Sequence, residues 1–255
     1  MFAINEKIKL IGFNNLTKSL NLNVYKFYYV KNERGSHNFF NFIDKKFGSK
    51  RLTEILNEAA EMIGALVLSV SEYDYEPQGA SAALLISDGT YETGGAVFAH
   101  LDKSHFTAHT YPDYNPVNST AVFRVDFDLS TCGEISPLKI IEFILGRLEP
   151  DVAELDFKIR GFTRADNGKK VFNDGGLNPI FEYIKEISSQ YIIDEKSLPE
   201  ANIFHAVMLR REFDCGARLF DETLVGISSE KFPLINKILQ REMAEVFERA
   251  ETCLK

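Results

Sequence analysis

The sequence predicts an α+β fold, a sandwich of largely antiparallel β-sheet covered by helices. Residues 121–129 set Val122, Arg124, Asp126 and Asp128 against Phe123, Val125, Phe127 and Leu129. That strict period of two marks a strand with one buried and one wet face. Apolar side chains recur at helical spacing over 38–47, 51–63 and about 232–250. The β, α, β order with adjoining antiparallel strands then favours helices covering one side of each sheet. With no repeats and no Pro- or Ser-rich linker, the 255 residues read as a single domain.

In chain order, residues 8–13 read as a first strand ended by the turn-forming pair Asn14 and Asn15. Phe39, Phe42 and Ile43, then Leu52, Ile55, Leu56, Ala59, Met62 and Ile63, lie on helix faces, with Gly64 placed to stop the second helix. Residues 66–70 and 80–86 are short runs of Val, Ile, Leu and Ala, hence strands. A polar loop at 87–95 leads to strands at 96–101 and 104–110, with Asp102 and Lys103 as a tight connection. Ser136 and Pro137 open a helix through Leu148, proline being tolerated in a first turn. Residues 152–159 form another strand, and helical patterns follow near 178–189 and 202–213.

Bulk properties exclude several classes. The net charge of −8 argues against a nucleic-acid binder, which needs a basic face. Cys132, Cys215 and Cys253 are widely spaced and belong to no CxxC pair, so neither a disulfide framework nor a zinc site is expected. The first ten residues lack the apolar core of a signal peptide, and no run is long and apolar enough for a membrane span. A cytoplasmic protein is the expectation.

Chemistry concentrates around Ser104. His100, His105 and His109 fall within ten positions, flanking a serine at an expected turn. At period two, His105, Thr107 and His109 share one strand face, while Ser104 points to the other unless the turn bends the chain. A polar hairpin edge would look the same. A metal site lacks an evident third ligand. A Ser-His-Asp hydrolase lacks its nucleophile elbow, of which Gly79-Ala80-Ser81 is a partial echo. Cys132 closes the alternating strand beside Gly133, where a cysteine is either reactive or a small apolar filler.

An ordered set of motifs carries a family resemblance. Leu101-Asp102-Lys103-Ser104-His105, His109-Thr110-Tyr111-Pro112 and Ser130-Thr131-Cys132-Gly133 resemble the S-adenosylmethionine decarboxylase proenzymes of the long bacterial type. The likeness extends through Gly12-Phe13-Asn14-Asn15-Leu16-Thr17-Lys18, Tyr75-Glu76-Pro77-Gln78-Gly79-Ala80-Ser81, Arg160-Gly161-Phe162-Thr163-Arg164 and Asn202-Ile203-Phe204-His205. It thus covers nearly the whole chain.

The resemblance implies a pyruvoyl enzyme that cuts itself between Lys103 and Ser104, giving a β chain of residues 1–103 and an α chain of residues 104–255. Ser104 would become the covalent pyruvate, which forms a Schiff base with S-adenosylmethionine and draws electrons as the carboxylate leaves. The product, S-adenosylmethioninamine, is an aminopropyl donor for spermidine biosynthesis. His109 matches the base of the processing elimination, a task suited to a neutral imidazole. Ser81 matches the second processing serine, and Cys132 the proton donor of decarboxylation. Cys215 and Cys253 match no motif. For the substrate, Tyr75 and Tyr111 lie where the related fold places aromatics. Asp113 stands where the family usually has Glu to hold the ribose hydroxyls, one methylene short, and Glu76 is a second candidate. The resemblance also implies stimulation by Mg2+, with no ligand set distinguishable among the acidic residues, and a hetero-octamer of four α and four β chains. Two rivals remain: a pyruvoyl decarboxylase of another amino acid such as ornithine or arginine, and a non-catalytic regulatory homologue.

Overall fold

A computed structural model of the chain describes residues 15–87, 104–132, 135–172, 180–220 and 232–252. The strands expected at 8–13 and 96–101, the loop beyond Ser87, and Asn14, His100, Asp102, Lys103, Gly133 and Cys253 lie outside the described residues. The architecture is α+β, and the strands among the described residues join in one sheet. Its strands are β1 (Asn15–Val30), β2 (Leu66–Asp74), β3 (Ala80–Ser87), β4 (His105–Asn115), β5 (Thr120–Cys132), β6 (Val152–Arg164), β7 (Lys170–Val171), β8 (Tyr191–Leu198), β9 (Ile203–Arg210) and β10 (Leu219–Phe220). They run in the order β2-β3-β4-β5-β1-β6-β9-β8, with β7 on β6 and β10 on β1. All pairings are antiparallel except β1 with β10.

Helices α1 (Glu33–Phe47), α2 (Ser49–Met62) and α3 (Ile141–Leu148) bury their apolar faces against one side of the sheet. Phe39, Ile43, Leu52, Ile55, Leu56, Ile144 and Leu145 meet Leu20, Leu22, Val24, Leu84, Phe106 and Phe123 there. Asn32 caps α1, its Oδ1 accepting from Gly35 N at 2.9 Å. Gly64 ends the α2 region with φ +73°, a left-handed conformation that suits glycine. On the opposite side, α4 (Phe232–Thr252) packs Ile235, Leu239 and Met243 on Phe27, Val152, Val207 and Leu219.

Three expectations change. β1 is the long central strand and begins at Asn15, where a turn was expected. Its helix-facing row runs Leu16, Lys18, Leu20, Leu22, Val24, Lys26, Tyr28 and Val30, and the two buried lysines interrupt the apolar alternation that would announce it. Residues 203–210 are strand β9, not helix. Phe204, Ala206 and Met208 pack toward the helices while Val207 packs beneath α4. Burial on both faces makes an apolar run broken only by His205, in which helix and strand periods are hard to tell apart. Near 178–189 the described residues form short 3₁₀ turns at Ile180–Tyr183 and Ser188–Gln190, followed by the unanticipated β8. A 3₁₀ turn also precedes α3, with Pro137 in its first turn.

Much of the rest of the α4-side face is polar. One row across it reads Ser81, His109, Asp126, Asn23 and Glu154 on β3, β4, β5, β1 and β6. The next reads Thr107, Asp128, Asn21, Asp156 and His205. This polar field holds the chemistry.

Candidate active site

Ser104 immediately precedes β4, and its carbonyl accepts from Ile86 N at 3.2 Å, which ties the serine backbone to the end of β3. The side chain is 1% exposed, and its Oγ lies 3.3 Å from Cys132 Sγ. Cys132 ends β5, paired with Thr17 of β1. A nucleophilic oxygen is therefore sheltered from solvent with a thiol as its neighbour. Beside them His105 Nε2 is 3.2 Å from Asp128 Oδ1, and Asn21 Nδ2 donates to Asp128 Oδ2 at 2.7 Å. The hydrogen bond from His105, helped by that from Asn21, holds the Asp128 carboxyl below its ordinary range against the opposing effect of burial. Ser19 and Ser130 hydroxyls, 3.2 Å apart, continue the polar surface on β1 and β5.

Ser81 and His109 form a second group. They face each other across β3 and β4, and Ser81 Oγ is 2.7 Å from the Tyr75 hydroxyl. His109 is also paired with Asp126 on β5. Arg124 Nη2 donates to Asp126 Oδ2 at 2.9 Å, while the buried Oδ1 has no hydrogen-bond partner. Burial raises the Asp126 carboxyl above its ordinary range, partly offset by Arg124 and His109. The Arg124 guanidinium also covers one face of the Tyr111 ring at 4.2 Å from its centre. Tyr111 and Asp113 are exposed and continue the strand face of His109, and Glu76 is exposed in the connection between β2 and β3.

The structure thus brings Ser104 to Cys132, and Ser81 to His109, but not the two pairs to each other. Ser104 and His109 are five residues apart along extended chain, roughly 16 Å at about 3.3 Å per residue. The sequence reading missed Asp126 and Arg124, although both stood on the wet face of its clearest strand.

One group among the described residues has the makings of a cation site: Glu154, Asp156 and His205, whose ligand atoms lie within 4.8 Å of one another. His205 is 3% exposed, its Nδ1 is 2.8 Å from Asp156 Oδ1, and its Nε2 has no hydrogen-bond partner. Burial, then the neighbouring Asp156, raises the Glu154 carboxyl above its ordinary range. Two carboxylates suit Mg2+, which takes a few protein oxygens and keeps its waters. An imidazole is the better ligand for transition metals.

Comparison with known proteins identifies the family. The family model described as S-adenosylmethionine decarboxylase matches residues 44–161. The chain is 41% identical over 265 residues to an S-adenosylmethionine decarboxylase proenzyme of Clostridium botulinum (strain Alaska E43 / Type E3), covering 97% of each chain. It is also 41% identical over 251 residues to the proenzyme of Stenotrophomonas maltophilia (strain K279a), covering 94% of this chain and 95% of that one. Among solved structures, the adenosylmethionine decarboxylase from Aquifex aeolicus aligns with 65% of this chain and 100% of its own at 16% identity, with a TM-score of 0.34, too low to bear on fold or function. At two-fifths identity over nearly its whole length, the chain belongs to the S-adenosylmethionine decarboxylase family.

Proposed function

We propose that the chain is a proenzyme that cleaves itself at Lys103–Ser104 and then decarboxylates S-adenosylmethionine on a pyruvoyl group made from Ser104. The observation that carries this reading is the buried Ser104 Oγ set 3.3 Å from the Cys132 thiol. In processing, Ser104 Oγ attacks the Lys103 carbonyl carbon, and the amide becomes an ester as the nitrogen takes up a proton. A base removes the Ser104 α-hydrogen, the Cβ–Oγ bond breaks, and the first chain leaves with a C-terminal carboxylate. Water then displaces ammonia from the resulting dehydroalanine and leaves the ketone. His109 is the base, and Ser81 donates a hydrogen bond to the oxyanion of the acyl shift.

The site fits that group: the serine is shielded from water and has a thiol rather than a carboxylate against it. Once made, the pyruvoyl ketone supplies the electron sink for decarboxylation. Cys132 holds a proton next to the former Ser104 side chain, placed to deliver it to the substrate α-carbon. Tyr111 and Asp113 offer an aromatic ring and a carboxylate to the nucleoside, on the same strand face as His109.

The separation of the two pairs adds a condition. Residues roughly 16 Å apart on one strand do not act on the same atoms. We therefore place Ser104 and Cys132 of one copy against Ser81 and His109 of a second. Both pairs border the partly exposed polar face, and a two-fold axis between facing sheets would match each pair with its complement, making two equivalent sites. A hetero-octamer of four α and four β chains contains such pairs. A divalent cation, where present, would be held by Glu154 and Asp156 with His205 alongside; it would neutralise those carboxylates rather than touch the reacting atoms.

Intact mass spectrometry of the purified protein tests the central step. The expected result is two chains, 1–103 and 104–255, the larger with a ketoacyl terminus. A single unmodified chain releasing CO2 from S-adenosylmethionine would refute it. Release from ornithine or arginine instead would keep the chemistry and change the substrate.

A further inference from the structure

We infer that Tyr75 is a positioning residue for Ser81, its hydroxyl fixing the serine O–H for the self-cleavage step; this rests on the reading of Ser81 as a processing residue. The two oxygens lie 2.7 Å apart, and Ser81 is 6% exposed whereas Tyr75 is 51% exposed. The ring therefore lies in the open while its hydroxyl reaches a nearly dry serine.

The backbone around the tyrosine is fastened on both sides. Asp74, its neighbour, accepts from Ser49 N at 2.7 Å and from Ser49 Oγ at 3.0 Å, which anchors the end of β2 to the start of α2. Tyr75 N donates to Gly79 O at 2.8 Å and closes the turn. Gln78 Nε2 donates to Pro112 O at 2.8 Å, and Ala80 N to Thr110 Oγ1 at 2.7 Å, so the turn is clamped to the part of β4 that carries His109. Gly79 makes the clamp possible: its φ is +99°, and a Cβ there would sit 3.0 Å from Thr110 O.

A phenol is a stronger hydrogen-bond donor than an aliphatic alcohol. Tyr75 therefore donates to Ser81 Oγ, and the serine directs its own hydrogen elsewhere, toward the acyl-shift oxyanion. Donation into Ser81 also polarises its O–H, because linked hydrogen bonds strengthen one another. Without the phenol, that rotor has several staggered positions and spends most of its time misdirected.

Tyr75→Phe keeps the ring and removes only this bond. In pulse-labelled cell-free synthesis, it should slow cleavage about fivefold to tenfold, the worth of one ordinary hydrogen bond. In a Ser81→Ala background, which itself slows cleavage, the tyrosine change should have no further effect, whereas loss through general loosening would add. Wild-type cleavage in Tyr75→Phe, or additive slowing in the double variant, with Ser81→Ala impaired, would overturn the inference alone. Normal cleavage in Ser81→Ala would overturn the role of Ser81 first and this inference with it.

Discussion

The contact between Ser104 and Cys132 assigns different failures to neighbouring side chains. On the proposed mechanism, Cys132→Ala keeps Ser104, so the chain should still be cut, but decarboxylation would lose its nearest proton source. Turnover should fall by about a hundredfold or more, the usual worth of a positioned acid, and the cofactor should accumulate damage by protonation on its own carbon. Mass spectrometry of the α chain after substrate exposure would show an amine in place of the ketone. Unchanged turnover would remove Cys132 as donor. His109→Ala should instead stop after the acyl shift, and hydroxylamine should still split the ester. A His109→Ala chain resistant to hydroxylamine would mean that the shift itself requires the imidazole. At this scale much was legible in the sequence: Ser104, His109 and Cys132 were all marked by residue type and order. Their grouping was not, because the distance between His109 and Ser104 depends on β4 being straight at that point.

The central strand shows how charge hides an element. Lys18 and Lys26 occupy β1 positions that face the helices, 1% and 6% exposed, and so break the apolar pattern of the row. Lys26 Nζ donates to Leu148 O at 2.8 Å and Glu149 O at 3.1 Å, carbonyls at the end of α3. Burial, with Arg218 nearby, lowers it from 10.5 to about 8. Below pH 8 both folded and unfolded chains carry this charge, and the folded state bears the full burial penalty. Between 8 and 10.5 the unfolded chain holds the proton that the folded chain lacks, so the contribution of Lys26 to stability rises with pH. The difference in urea midpoint between wild type and Lys26→Met should therefore shift in favour of wild type from pH 8 to pH 10. A difference constant over that range would contradict the burial argument. β9 shows the complementary difficulty: it has too little polar punctuation for its period to be read, and only the layers above and below it decide that it is a strand.

For the whole molecule, the proposed half-sites would make self-association part of the chemistry. A Ser104→Ala chain retains Ser81 and His109; a His109→Ala chain retains Ser104 and Cys132. Coexpressed, the first should supply the base that cuts the second, although neither is completed alone. Gel separation of tagged chains would show cleavage confined to the His109→Ala chain. No cleavage in the mixture, with association verified by co-purification, would mean that one chain supplies the whole site.

By itself, the sequence determined the α+β class, helices α1, α2 and α4, the alternation of β5 and the choice of candidate reactive side chains. Those features are local: they follow from residue type, periodicity and the ordered motifs that tie the chain to its family. Tertiary structure alone decided the strand order, β1 as the central strand, β9 as a strand, and the pairing of Tyr75 with Ser81 and of Asp126 with His109. The strand order and register depend on backbone hydrogen bonds between residues distant in sequence, fixed by which face the surrounding layers leave buried, and the Tyr75–Ser81 contact depends on how the intervening turn folds.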